Sequence, residues 1–276
     1  MLNSQEKAAL SDIYDRMQAL EIPLLMIGAG ARLLVCDQRY NVMGRSTTDW
    51  DFAVKIATWE HYQTLCAELT QGNAPTFSAT SIPHRFIHRA TGTELDIVPF
   101  GAIGEPDQEI IWTDGNQMSV LGLEEALIHA ENVLIDNISI QVVTAPALIV
   151  LKLIAWSDRR VLKDLEDVVF ILQHHQDDRI YDQLADELAE GQIDFEVATN
   201  VLLGQDIQAI FTPQTLAQAV RVLRSIIDDP DRVIPQLIRN QFDDARWNQA
   251  FDDTLKRFHA LQQGIEQPLK SVRVEN

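Results

Sequence analysis

The chain has 276 residues, of which 46% are hydrophobic and 23% charged, the proportions of an ordinary globular protein. Its 22 basic and 41 acidic residues give a formal net charge of −19, so its bulk electrostatic field does not attract nucleic acid. It has no apolar run of membrane-spanning length, no pattern of a secretion signal, and only two cysteines, without metal-ligand spacing, so we expect a cytoplasmic protein with reduced thiols and no membrane partner.

The first predicted element is an N-terminal helix. Asn3 and Glu6 have the spacing of a capping box, and Pro23 ends the helical pattern. Between them, apolar residues recur at three- and four-residue steps, which is typical of one buried helix face: Leu10, Ile13, Met17 and Leu20. The next predicted elements are a buried strand over 24–28, a helix over 29–36 and an alternating strand over 47–56.

Further strands and helices are predicted up to residue 144, and only helices after it. In chain order the predicted elements are a helix over 58–73, a hairpin over 85–100 that folds at Thr91-Gly92, a helix over 121–135 and a strand over 138–144. After Pro146 the patterns are helical throughout, and Thr212-Pro213 is a strong helix start. We therefore predict an α+β core over 1–144 and an all-helical domain over 145–276.

Two aspartates share one face of the strand in "RSTTDWDFAV". Side chains at i and i+2 of a strand point the same way, so Asp49 and Asp51 face one side, and Trp50 and Phe52 face the other. Two close carboxylates are unfavourable unless a cation or a proton lies between them, and Mg²⁺ prefers oxygen ligands. The alternative interpretation is a solvated face of the sheet.

A third acid lies in the apolar strand "TELDIVPF". Glu94 and Asp96 share one face of it. If the 93–100 strand lies beside the 47–56 strand, Asp96 completes a triad with the first two aspartates. Three acids on adjacent strands can hold two Mg²⁺ ions about 3.5–4 Å apart, the arrangement that promotes displacement at phosphorus.

A glycine stretch, "IGAGAR", connects the first predicted strand to a helix. Gly28 and Gly30 let the backbone approach a ligand closely, and a helix start favours phosphate. The dinucleotide-binding pattern G-x-G-x-x-G would need glycine where Leu33 lies, so that interpretation fails. The alternative is a tight turn from strand to helix.

Basic residues recur in the first long helical stretch of the second half. Lys152, Arg159 and Lys163 are seven and four residues apart, which places them on one face with Trp156 if the helix is continuous. That face could meet a triphosphate, or it could be a solvated amphipathic surface. Lys152 lies inside the apolar run "ALIVLKLIAW", which favours a specific anionic partner.

The order of these motifs resembles the nucleotidyltransferases of the AbiEii/AbiGii toxin type, within the DNA polymerase β-like superfamily. The resemblance covers roughly residues 20 to 175. The motifs that carry it, in chain order, are Gly28-Ala29-Gly30-Ala31, Arg45-x-Thr47-x-Asp49-x-Asp51, Asp96, Lys152 and Lys163-Asp164-x-x-Asp167. It implies a mixed β-sheet core flanked by helices, followed by a helical C-terminal bundle that contributes Lys152 and Lys163 to the cleft.

The resemblance also implies residue roles. Asp49 and Asp51 would bind Mg²⁺, with Asp96 as the third acid. The glycine turn, including Ala29, would cradle the nucleotide phosphates, Lys152 would contact the triphosphate, and Lys163, Asp164 and Asp167 match a further motif near the active site. Arg45, Thr47 and Thr48 would orient the metal-binding strand, or make only local hydrogen bonds. The family usually has Gly-Gly or Gly-Ser at the turn, so a serine contact to phosphate is missing at Ala29.

The expected function is therefore transfer of a nucleoside monophosphate from a nucleoside triphosphate to an acceptor hydroxyl, with two Mg²⁺ ions. The resemblance permits tRNA, a protein or a small molecule as acceptor, and it suggests a toxin with a cognate antitoxin; a housekeeping enzyme is the other possibility. The net charge disfavours a broad RNA-binding surface, although a strip of Arg159, Arg160 and Lys163 could suffice. The alternative function is a non-catalytic nucleotide- or partner-binding module on the same fold, which Ala29 favours.

Overall fold

The N-terminal helix begins at the predicted capping box. The computed structural model describes residues 2–239 and 244–267. Helix α1 (Ser4–Ala19) follows Asn3, whose side chain accepts hydrogen bonds from the backbone N–H groups of Gln5 and Glu6. The Glu6 carboxylate in turn accepts the Asn3 backbone N–H at 2.7 Å. Three of the four predicted apolar positions are buried, Leu10, Ile13 and Met17, whereas Leu20 caps the end of the helix and is half-buried.

Strands alternate with short helices up to Thr144. The strands are β1 (Leu24–Ile27), β2 (Asp49–Lys55), β3 (Phe77–Ala79), β4 (Arg85–His88), β5 (Glu94–Phe100), β6 (Glu109–Ile111), β7 (Gln117–Ser119), β8 (Glu131–Ile135) and β9 (Ile138–Val142). The helices are α2 (Gly28–Arg32), which continues as a π-helical turn (Leu33–Asp37), α3 (Trp59–Thr70) and α4 (Leu123–Ile128). The predicted helix over 58–73 and the strand over 138–144 are thus confirmed.

Seven of these strands form one mixed sheet in the order β3-β4-β5-β2-β1-β9-β8. The pairs β2/β5 and β1/β9 are parallel, and the other neighbours are antiparallel. The conditional expectation about the acids is met, because β2 and β5 are neighbours and Asp51 pairs with Asp96. Strands β6 and β7 form a separate two-stranded ribbon.

The strand β2 carries its apolar side chains into the core. Trp50 and Phe52 are buried, whereas Asp49 and Asp51 are partly exposed. This alternation is what the sequence pattern of a half-buried strand predicts.

The predicted helix over 121–135 is wrong in its second half. Helix α4 ends at Ile128, and residues 131–135 form β8, which pairs antiparallel with β9 in the register Val133↔Ile140. Asp136 takes a positive φ of 51°, which allows the tight connection between the two strands. The backbone groups of β8 find partners in β9, and this tertiary pairing outweighs a helical sequence pattern.

The regular elements described after Thr144 are all helical, as predicted. They are α5 (Ala145–Arg159), α6 (Leu162–His174), α7 (Ile180–Gln183), α8 (Ala185–Ala189), α9 (Ala198–Ile210), α10 (Pro213–Ile227), α11 (Pro230–Leu237) and α12 (Asp244–Glu266), with one 3₁₀ turn at Phe195–Val197. Helix α10 starts at Thr212-Pro213, as expected. The chain divides into two compact units, Met1–Thr144 and Ala145–Asn276. Among the described residues, no helix combines the length and apolar character needed to span a membrane.

Candidate functional site

Three carboxylates meet on one face of the sheet. Asp49 and Asp51 extend from β2, and Asp96 extends from β5 directly opposite Asp51. Ligand oxygen atoms of the three side chains all lie within 4.8 Å of one another. Asp96 is buried at 8% exposure, whereas the other two are partly exposed. The convergence predicted from the sequence is therefore present, and we call these three residues the acid cluster.

The glycine turn lies directly against the acid cluster. Gly28 has φ +70°, and a Cβ atom built on it would lie 1.9 Å from Oδ2 of Asp51. A Cβ on Gly30 would lie 2.6 Å from the indole ring of Trp50. Both positions thus require glycine because α2 approaches β2 so closely. Ala29, between them, is buried.

Thr47 is one of the predicted orienting residues, and it contacts the first acid. Its hydroxyl lies 2.9 Å from Oδ1 of Asp49 and 3.0 Å from the Asp49 carbonyl oxygen, so it can donate its one proton to either. The contact limits the rotation of the Asp49 side chain at the start of β2.

A buried ion pair, which sequence reasoning missed, holds the loop that leads to β2. Arg32 and Asp37 are 2% and 5% exposed, and Nε of the arginine lies 3.1 Å from Oδ1 of the aspartate. Arg32 Nη2 also donates to the Arg45 carbonyl oxygen at 2.6 Å, and Asp37 Oδ2 accepts the Gly44 backbone N–H at 3.0 Å. The predicted site residue Arg45 is thus fixed here through its backbone. The sequence signal was a charged pair flanking the apolar run "LLVC".

A second residue that sequence reasoning missed, Arg85, contacts the acid cluster from β4. Its Nε and Nη2 atoms lie 2.7 and 2.8 Å from the two oxygens of Asp96. Nη1 lies 3.1 Å from Glu94, and Nη2 lies 3.6 Å from Asp49. The hydrogen bonds to Asp96, with the charges of the other two acids, raise the pKa of the Arg85 guanidinium above its usual range.

Aromatic side chains lie beside Asp96. His84 Nε2 is 3.9 Å from Oδ2 of Asp96, and the imidazole packs against Trp112 with ring centroids 4.9 Å apart. Trp112 in turn contacts Trp59 and Tyr62 edge-on. The Tyr62 hydroxyl donates to the Ile97 carbonyl oxygen at 2.8 Å, and burial raises the pKa of Tyr62. This apolar packing lowers the local dielectric around Asp96, which strengthens its electrostatic interactions.

The basic residues of the second unit are arranged differently from the prediction. The chain breaks at Arg160, with φ 53°, so Lys152 and Lys163 lie on two helices and not on one continuous face. Arg160 stacks on the Trp156 ring at 4.1 Å, and Lys163 is exposed. The helical spacing was correct within α5, but a single left-handed residue reorients everything after it.

Lys152 is buried in an ionic network of its own unit. Its amine lies 3.2 Å from Oδ1 of Asp164 and 2.8 Å from Oδ2 of Asp167, and both aspartates are fully buried. Arg159 donates two further hydrogen bonds to Asp164, at 2.7 and 2.8 Å. The positive charge of Arg159 is therefore partly neutralised by Asp164, which weakens the basic strip expected at Arg159, Arg160 and Lys163. The nucleotide-binding roles of Lys152, Lys163 and Asp164 stay predictions.

The acid cluster fits a hard divalent cation. Carboxylate oxygens are the ligands that Mg²⁺ prefers, and three of them converge here. Within residues 2–239 and 244–267, the acid cluster is the one group of three or more acidic, histidine or cysteine side chains close enough together to hold a metal ion. The donor set contains no thiolate or imidazole, which would favour a softer metal.

Comparison with known proteins gives a family match over most of the chain. The model of the family described as "Nucleotidyl transferase AbiEii toxin, Type IV TA system" matches residues 38–266. A search of the curated proteins found no match. Among solved structures, the antibiotic-resistance factor ANT(2'')-Ia is 13% identical, with a TM-score of 0.36, over 61% of this chain and 83% of that one. An antigenic nucleotidyltransferase-like protein from Paracoccidioides brasiliensis is 17% identical, with a TM-score of 0.41, over 68% and 90% of the two chains.

Proposed function

Since the chain belongs to the AbiEii nucleotidyl transferase toxin family, we propose that it is a magnesium-dependent nucleotidyltransferase. It would move a nucleoside monophosphate from a nucleoside triphosphate to an acceptor hydroxyl, and pyrophosphate would leave. The observation that carries this proposal is the convergence of Asp49, Asp51 and Asp96, whose oxygen atoms lie within 4.8 Å of one another. Three carboxylates held this close repel one another, and the single charge of Arg85 offsets only part of that repulsion, so a divalent cation explains their convergence better than a solvated sheet face.

The acid cluster is proposed to hold Mg²⁺, two ions in the full complex. Bound there, the metal would neutralise charge on the phosphates and orient them. Thr47 supports this assignment by restraining Asp49 through its hydroxyl. Gly28, Ala29 and Gly30 are proposed to receive the nucleotide phosphates through backbone N–H groups, because a helix start leaves such groups without helical partners.

Basic side chains are proposed as contacts of the triphosphate. Lys152 would contact the phosphates, with Asp164 and Asp167 fixing its ammonium group at 3.2 and 2.8 Å. Lysine is a common phosphate ligand in nucleotide sites, which supports this assignment. Lys163, which is exposed, and Arg45 are proposed as further contacts to the nucleotide.

The acceptor is proposed to be a hydroxyl of a tRNA, a protein or a small molecule. The net charge of −19 disfavours a broad RNA-binding surface. The family description names a toxin of a type IV toxin–antitoxin system. We propose that this protein likewise has a cognate antitoxin and that it acts in the cytoplasm.

The proposal is tested by nucleotide transfer. The purified chain, with Mg²⁺ and each of the four nucleoside triphosphates labelled on the α-phosphate, is incubated with cell lysate, with and without ribonuclease. We expect label to move from at least one nucleotide, with release of pyrophosphate, and the ribonuclease arm separates RNA from protein acceptors.

Asp51→Asn should abolish the transfer, whereas Asp107→Asn, at an exposed aspartate, serves as the matched control and should retain it. No transfer and no pyrophosphate from any nucleotide, in a chain that still binds nucleotide, would instead identify a non-catalytic binding module.

A further inference from the structure

Arg85 lies opposite the third acid in the strand register. In the β4/β5 pair, Arg85 faces Asp96 and Ile87 faces Glu94. Opposite residues on one face of an antiparallel pair are close enough for direct side-chain contact. The result is a fork: Nε and Nη2 of Arg85 contact the two oxygens of Asp96 at 2.7 and 2.8 Å. The strand register of the hairpin therefore places the positively charged guanidinium of Arg85 against the acid cluster.

The guanidinium lies where a shared cation would reduce the repulsion between acids. Nη2 is 2.8 Å from Asp96 and 3.6 Å from Asp49, so one nitrogen faces acids of both strands. Nη1 adds a contact to Glu94 at 3.1 Å. The single positive charge of Arg85 thus offsets part of the negative charge of Asp96, Asp49 and Glu94, each of which it contacts by a hydrogen bond or an ion pair.

We propose that Arg85 is a built-in counter-ion that holds Asp96 in the metal-free protein and competes with the metal ion for it. The inference rests on the proposed metal site and concerns how that site is regulated. Both Asp96 oxygens are engaged by the guanidinium, and a divalent ion beside it would be repelled by its charge. The Arg85 side chain is 26% exposed, so it borders solvent into which it can turn.

The opposite role would be a permanent orienting partner. Hydrogen-bonded partners that fix a metal ligand raise metal affinity, and their removal typically lowers it about 10- to 100-fold. A competing cation acts with the other sign, because its removal raises metal affinity. The direction of the change in affinity therefore distinguishes the two roles without any measurement of catalysis.

The test is a titration of the full chain with Mn²⁺, in which the electron paramagnetic resonance signal of the free ion gives the concentration that remains unbound. We expect Arg85→Gln to bind Mn²⁺ about 10-fold more tightly than the wild type, since a positive charge next to the site is removed. Arg85→Lys, which keeps the charge but loses the fork, should lie between them, and it carries the test if the glutamine variant does not fold. Arg89→Gln is the matched control: Arg89 is exposed in the same hairpin and donates to the Phe77 carbonyl oxygen, so its loss should change affinity less than about 2-fold.

A double-mutant cycle with Asp96→Asn completes the experiment. If Arg85 acts through Asp96, the gain from Arg85→Gln should shrink in the Asp96→Asn background. Unchanged or weaker Mn²⁺ binding by the Arg85 variants, or the same gain in both backgrounds, overturns the inference and leaves the proposed function intact. Failure of the wild type and of every Arg85 variant to bind Mn²⁺ would instead overturn the metal site on which the proposed function depends.

Discussion

Replacing Asp37 by Asn should expose how the loop before β2 is held. The substitution keeps the shape of the side chain but removes the negative charge that Nε and Nη2 of Arg32, a residue only 2% exposed, contact. Breaking a buried ion pair from one side costs about 3–5 kcal/mol, because the remaining charge stays desolvated. The Gly44 backbone N–H also exchanges a carboxylate acceptor at 3.0 Å for an amide group. We expect the free energy of unfolding of the first unit to fall by roughly 3–5 kcal/mol.

Differential scanning calorimetry of the full chain is the suitable assay, since two compact units can unfold in separate transitions. The expected loss corresponds to a decrease in melting temperature of about 10 °C. Asp136→Asn is the matched control: Asp136 pairs with Lys7 at 2.7 Å, but the two side chains are 59% and 37% exposed. Its replacement should cost less than about 1 kcal/mol.

A further consequence reaches the acid cluster. Arg32 donates to the Arg45 carbonyl oxygen, four residues before Asp49, so a loosened loop should also weaken Mn²⁺ binding. If Asp37→Asn melts within about 2 °C of the wild type, as the exposed control should, the buried pair contributes little and this reasoning is refuted.

The remaining predictions concern the glycine turn, the second acid and a buried thiol. Gly28→Ala should lower both stability, by about 1–3 kcal/mol, and Mn²⁺ affinity, because its φ is +70° and the new Cβ would overlap Asp51; a melt and a Mn²⁺ titration equal to wild type would contradict this. Asp51→Asn should melt at the same or a higher temperature without metal, since like-charge repulsion falls, yet it should lack the rise in melting temperature that we expect Mg²⁺ and nucleotide to give the wild type. A metal-free melt several degrees lower would make Asp51 a structural residue. Burial raises the pKa of Cys36 from 9.0 to about 12, so the unfolded chain ionises first, and the stability this thiol contributes is complete below about pH 9 and is lost as pH rises towards 12. Melts in pH steps should therefore show a steeper alkaline loss in the wild type than in Cys36→Ala, and parallel curves would refute the assignment.

Local sequence patterns determined much of this protein before any tertiary contact was known. The capping box at Asn3 and Glu6 predicted the start of α1, because its hydrogen bonds join residues only three apart. The alternation around Trp50 predicted which face of β2 carries the aspartates, since strand side chains alternate by geometry alone. The acid cluster followed from this alternation plus one assumption about neighbouring strands, which the sheet confirms.

Only the tertiary structure decided the register and the partners. A hairpin with a two-residue loop at Thr91-Gly92 would pair Asp96 with Ile87. In the structure the loop is longer, and His88 lies opposite Thr93. The register is thus shifted by two residues, which places Arg85 opposite Asp96. The second half of the helix predicted over 121–135 is instead the strand β8, because its backbone groups form hydrogen bonds with β9. The left-handed backbone conformation of Arg160 separates α5 from α6.

The physical reason is the range of the interactions. Periodicity and capping are set by bonds between residues a few positions apart, which the sequence displays directly. Register, strand pairing and buried charge pairs such as Arg32 with Asp37 depend on which distant groups remain to satisfy one another after the chain has folded, and no local pattern contains that information.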